Sequence, residues 1–148
     1  MIELMIVIAI IGILIGVGIP AWKMIVRRGN ETAAIKQLQT VREAEADYAM
    51  GHRGDYGSFD QLAKDHSLDD DRFVGDAPVV SGYIYTIKIT PKSATAPATY
   101  SGYADPQQSD GIGATGHRHF YIDPNVSNVR TNDTQQASAS DPTIVGAQ

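Results

Sequence analysis

Leu4 to Trp22 is a run of nineteen residues without a charge. As a helix rising about 1.5 Å per residue, such a run matches the roughly 30 Å hydrocarbon core of a bilayer, so the pattern predicts a membrane span. A secretory signal peptide is the competing reading, but it would open on basic residues and close on a small-residue cleavage site. Here Glu3 stands in front, and the run passes into Trp22 and Lys23 with no Ala-x-Ala boundary. From Glu31 the period changes. Ala34, Leu38, Val41 and Tyr48 recur at helical steps, with Lys36, Arg42, Glu43 and Asp47 elsewhere on the circumference. Gly51-His52-Arg53-Gly54 then stops the helix. Span and amphipathic segment together make one element of about 50 residues, roughly 75 Å long, far more than a globule of this size needs. Such a stalk is suited to packing against other stalks.

Beyond the stalk, Ser58 is placed to cap a short helix through Leu62. Leu68 and Phe73 are candidate core residues. Tyr83 to Ile89 is a β-branched and aromatic strand stopped by Pro91, Thr99–Ala104 a second strand and His119–Asp123 a third. The expected fold class is therefore α+β: a long N-terminal helix covered by an antiparallel sheet of three or more strands. Its parts are a hydrophobic helix (1–24), an amphipathic half (25–52), a head (53–130) and a polar tail (131–148), surface-clinging or mobile.

Within the span, Gly12, Gly16, Gly18 and Pro20 weaken the helix, since Gly costs about 1 kcal/mol and Pro about 3 relative to Ala. In a filament that buries the backbone they predict a helix from near Met1 to Gly12, a non-helical stretch to about Pro20, and helix again to about Gly51, whereas lipid enforces helix. Gly12-x-x-x-Gly16 also fits close packing between helices, and both readings can hold. Glu3 would cost about 2.5–3.5 kcal/mol if carried to mid-bilayer, so it either lies at the headgroups or has a partner.

Charge and composition narrow the function. The 148 residues hold 12 Lys plus Arg against 17 Asp plus Glu. Up to Arg28 only Glu3 is acidic, against Lys23, Arg27 and Arg28, so the rest is strongly negative and would repel phosphate. No nucleic-acid binding is expected. The absence of cysteine excludes disulfide scaffolds, thiolate metal sites and cysteine catalysis.

Residues 1 to 14, Met-Ile-Glu-Leu-Met-Ile-Val-Ile-Ala-Ile-Ile-Gly-Ile-Leu, resemble the mature N-terminus of type IV pilins and type II secretion pseudopilins. The family's glutamate falls on Glu3 and its helix-breaking proline on Pro20. The aromatic residue and its neighbour at the family's front are missing, so either two residues are absent or Met1 is an unusual start. Asp55-Tyr56-Gly57-Ser58-Phe59-Asp60-Gln61-Leu62 continues the resemblance, and 116–130 resembles the closing strand of some pilin-like proteins more loosely. The resemblance implies a pilin-like fold and a leader cut by a prepilin peptidase. It further implies storage in the inner membrane, then export by pilus assembly machinery into an extracellular filament of identical subunits. It pairs Glu3 with the α-amine of Met1 in the same or an adjacent subunit. The basic residues after Trp22 would by themselves place the head in the cytoplasm. The resemblance places it outside, with the leader supplying the cytoplasmic charge. The function expected is a major pilin. A type II secretion pseudopilin is the near alternative, and a monomeric membrane-anchored binding domain an alternative of another class.

Other constellations carry less. Gly111-Ile112-Gly113-Ala114-Thr115-Gly116 matches the dinucleotide fingerprint by letter, but no strand precedes it and a strand rather than a helix follows. His117 and His119 lack a third ligand at a recognisable spacing. Asp69-Asp70-Asp71, Asp105, Asp110 and Asp123 form no spaced calcium loop. No nucleophile elbow or triad signature is present, so no catalysis, metal or cofactor is expected. Asn30, Asn125 and Asn132 open three Asn-x-Ser/Thr sequons, candidate glycan acceptors on an extracellular surface.

Overall fold

The computed structural model describes residues 1–144, the side chains of 17–20 excepted. Helix α1 (Ile2–Gly51) is followed by a short α2 (Phe59–Lys64). Five antiparallel strands then form one sheet: β1 (Val79–Val80), β2 (Tyr83–Thr90), β3 (Thr99–Pro106), β4 (His119–Ile122) and β5 (Arg130–Asn132). Their spatial order is β1-β2-β3-β4-β5, a meander in which every strand pairs with its neighbours in the chain. The α+β arrangement is the one the residue pattern predicts.

The C-terminal half of α1 buries Ala34, Ile35, Leu38, Val41, Ala44 and Tyr48, steps of three and four that keep one face of a 3.6-residue helix against the sheet. Opposite them stand Tyr83 and Tyr85 of β2, Tyr100 and Ala104 of β3, and Phe120 and Ile122 of β4, all in the same buried cluster. Alternate residues of β3 point inward, as a sheet with one wet face requires. The helix stops where expected: Gly54 takes a positive φ of 82°, and its N–H donates to the Ala49 carbonyl at 2.8 Å. Ser58 caps α2 in a reciprocal pair with Gln61, whose side chain accepts from the Ser58 N–H at 2.8 Å.

In the single chain α1 is helical without interruption from Ile2 to Gly51, so the non-helical stretch expected between Gly12 and Pro20 in a filament is not formed in a subunit by itself. Pro20 removes one N–H, but in a lone subunit nothing else can take the backbone groups of residues 13–19, so the remaining helical bonds still win. Of the two states expected of the tail, residues 131–144 take the surface-clinging one. Thr131 and Asn132 pair with Phe120 and His119 as β5. The Thr131 N–H donates to the Pro142 carbonyl at 3.0 Å, and the Ile144 N–H to that of Val129 at 2.9 Å. Ala137 is buried and Ile144 packs against the core.

Candidate functional site

The largest chemical anomaly is the bare half of α1. Twelve large apolar side chains between Met1 and Ile15 are exposed, each by at least 47%. The most apolar 18-residue window of α1 has mean hydropathy 2.8 and none of it is buried within the chain, so this is a helix long and apolar enough to cross a membrane. Gly12 and Gly16 have open space where a Cβ would stand, so no contact within the subunit explains their small size. Gly18 and Pro20 belong to the same helix, but their side-chain surroundings lie outside the described residues. Glu3 sits in the first turn next to Met1. It takes part in none of the ion pairs among the described residues.

The other half of α1 holds the head by polar clamps that sequence reading missed. Glu31 is buried, and Arg118 approaches its Oε2 at 2.8–2.9 Å while the His117 N–H donates to Oε1 at 3.0 Å. Gly116 makes this possible: a Cβ there would lie 2.0 Å from the Tyr83 hydroxyl, which donates to the Arg118 carbonyl at 2.9 Å. Arg27 donates to the carbonyls of Ala114 and Gly111 at 3.2 and 2.6 Å. Arg42 donates to those of Val126 and Ser127. The signal for the acids was present in the spacing. Glu31 and Glu45 extend the series 34, 38, 41, 48 at steps of three and four, so both had to fall on the buried face.

Glu45 is fully buried. Its Oε2 accepts from the Gly57 N–H at 3.0 Å, whereas its Oε1 and the nearby buried Tyr100 hydroxyl have no hydrogen-bond partner among the described residues. Burial disfavours the charged form and pushes the Glu45 carboxyl up to about 7, although the Gly57 N–H opposes this. The folded protein therefore binds a proton that the unfolded chain releases near pH 4.5. The resulting stabilisation is complete below that pH and is lost as pH rises towards 7, with a full span of about 3 kcal/mol. Urea titrations should show stability falling with pH across this window, and Glu45→Gln should flatten that slope. An unchanged slope would mean that Glu45 is as solvated in the fold as in the unfolded chain.

The remaining candidates disperse. His119 Nδ1 lies 2.6 Å from Asp105 Oδ1, while His117 is engaged through its backbone at Glu31. Asp70 is held well below the usual carboxylate range by hydrogen bonds from Arg72, and Asp123 accepts from the Asn125 N–H at 2.7 Å. No group of three His, Cys, Asp or Glu residues that could hold a metal occurs among the described residues. Of the sequon asparagines, Asn30 spends its amide on the Thr115 carbonyl at 2.8 Å. Asn132 donates to Asp141 at 2.9 Å and accepts from Thr134 and Gln135. Asn125 is exposed and its side chain makes no hydrogen bond among the described residues, so the geometry favours it as an acceptor over the other two. Gly111–Gly116 is the connection between β3 and β4 with no helix after it, so it offers no helix N-terminus to a pyrophosphate.

Compared with protein-family models, with characterised proteins and with solved structures, the chain finds no match.

Proposed function

We propose that this chain is a structural subunit, a major pilin, of an extracellular type IV pilus-like filament, held in the inner membrane by residues 1–24 until it polymerises. The observation that carries the reading is the bare half of α1: a helix with twelve exposed large apolar side chains that its own head does not cover. Such a surface must be hidden by lipid or by copies of itself. A stalk rigidly tied to a head by Glu31, Arg27 and Arg42 suits both states, because the head keeps its place on the helix while the helix changes surroundings. Glu3 is then the one charged side chain entering the filament core, and the α-amine of the mature N-terminus is its partner. The resemblance of residues 1–14 to pilins supports the same reading.

Electron microscopy of cells expressing the chain tests it. Long fibres that shear off and contain this chain are expected. Short envelope-bound structures seen only on overexpression would favour the pseudopilin instead, and a complete lack of fibres would leave a membrane-anchored monomer.

A further inference from the structure

The glycine-rich segment that matched a nucleotide fingerprint by letter has a different position in the fold. It is where the head reaches furthest back towards the span. Arg27 holds the carbonyls of Gly111 and Ala114, and Asn30 that of Thr115. The segment is closed on itself by the Thr115 N–H, which donates to the Gln108 carbonyl at 2.9 Å. This pinned loop nevertheless presents Ile112 with 83% of its surface exposed. Gly111 and Ile112 face Lys23, Met24 and Arg27 across a cleft of about 380 Å³.

The height of this cleft is fixed by the helix. If Trp22 marks the end of the span, Met24 and Arg27 stand about 3 and 7.5 Å further along the axis. The headgroup layer is roughly 5–8 Å thick on each side of the hydrocarbon. Ile112 is thus carried to the level of the headgroups, across the cleft from exposed Met24, which lies on the turn of α1 that follows exposed Trp22. The local charge fits the same surroundings. Lys23, Arg27 and Arg28 outnumber Asp110, whereas the rest of the head is acidic.

We propose that the Gly111–Gly113 loop and the Lys23–Arg28 turn of α1 form a second membrane contact, with Ile112 among the lipid headgroups and Lys23 facing a lipid phosphate, which fixes the orientation of the head on the bilayer. The occupant is the lipid surface and not another copy of the chain, because the patch begins where the span ends and combines apolar with basic residues beside the aromatic Trp22, the composition of a membrane–water boundary. This inference rests on the membrane-anchored part of the proposed function and not on the filament.

The chain has no cysteine and a single tryptophan, so single-site probes can be read without background. Full-length Ile112→Cys, carrying a nitrobenzoxadiazole probe, is reconstituted at low density in phosphatidylcholine vesicles containing phosphatidylglycerol, with lipids spin-labelled near the headgroup. Val74→Cys is the control. Val74 is 66% exposed, and the next residue, Gly75, is tied to Asp60 of α2, the element that follows Gly57, which binds Glu45 far along α1 from Met24. Trp22 quenching reports the anchor in the same sample. The expected result is quenching at position 112 several-fold above that at 74, reduced towards the control by Lys23→Glu together with Arg28→Glu. Quenching of Trp22 without quenching at 112 would overturn the second contact while leaving the anchor intact. Shielding at 112 that appears only as protein density rises would assign the patch to another copy and would also overturn it. Absence of quenching at both Trp22 and 112 would remove the anchor and the contact together.

Discussion

Deleting residues 1–24 should convert the chain from one that requires detergent into a soluble, folded monomer that forms no fibres. The cut removes the twelve exposed apolar side chains between Met1 and Ile15 and leaves the core untouched, since burial on α1 begins at Glu31 and Ala34. Arg27 and Asn30, which hold the β3–β4 connection, also remain. Fully burying side chains of this kind is worth about 1.5–3 kcal/mol each. The full set therefore supplies on the order of 20 kcal/mol towards insertion or polymerisation, more than any contact elsewhere on the head can replace. Size-exclusion chromatography and near-ultraviolet circular dichroism would show a monomer with native tyrosine packing. If the truncated chain still assembled into the same fibres, the bare helix would not be their core.

The same division between core and surface explains what the sequence could disclose. The long helix, the cap at Ser58 and strands β2, β3 and β4 were legible because each is written in a period or a run: three-four spacing from Ala34 to Tyr48, Ser58 before Phe59, alternation through Tyr83, Tyr85 and Ile87. Strand β1 has only two residues, and β5 is Arg-Thr-Asn, so neither carries a β pattern of its own. They exist because β2 and β4 offer open edges to them. Long-range polar contacts were illegible for another reason. Arg27, Asn30 and Glu31 meet partners 84 to 87 residues away; the spacing puts Glu31 on the buried face, but nothing local says which distant group it meets, and nothing marks Arg27 or Asn30 at all. The continuity of α1 through Gly16 and Pro20 could not be read from propensity either, because propensity compares helix with hydrated coil. An apolar segment without a neighbour has no equivalent alternative. For the bare half of α1 the balance is reversed: the exposed apolar run was fully legible, because it is a continuous stretch of sequence and needs no tertiary partner to be seen.

Glu3→Ala subunits should accumulate in the membrane with a normal head and yet enter few or no filaments. The two halves of this expectation come from different physics. In a bilayer the carboxylate is a cost, so removing it should make insertion easier by about one to a few kcal/mol if the group is carried inward. Folding should be indifferent, because Glu3 lies 28 residues before Glu31, where burial begins among the described side chains of α1, and takes part in none of the ion pairs among the described residues. In a filament core the sign changes. No Lys or Arg stands between Glu3 and Lys23, so the positive group that the proposed filament offers a carboxylate at this depth is the α-amine at the N-terminus of the mature subunit, its own or the adjoining one's. A charge pair in an apolar setting is expensive to leave half-made, with a cost of about 3–5 kcal/mol when one partner is removed. Glu3→Ala leaves the amine in that position at every docking step, a loss of more than a hundredfold in the equilibrium for adding each subunit. Glu3→Asp, which keeps the charge on a shorter arm, should retain part of the assembly, and Glu3→Gln should behave like Ala. Counting sheared filaments against membrane-bound subunit for the three variants separates the roles. Wild-type filament numbers for Glu3→Ala would make the carboxylate a bystander at the headgroups, and loss of the membrane-bound subunit itself would move its role to insertion.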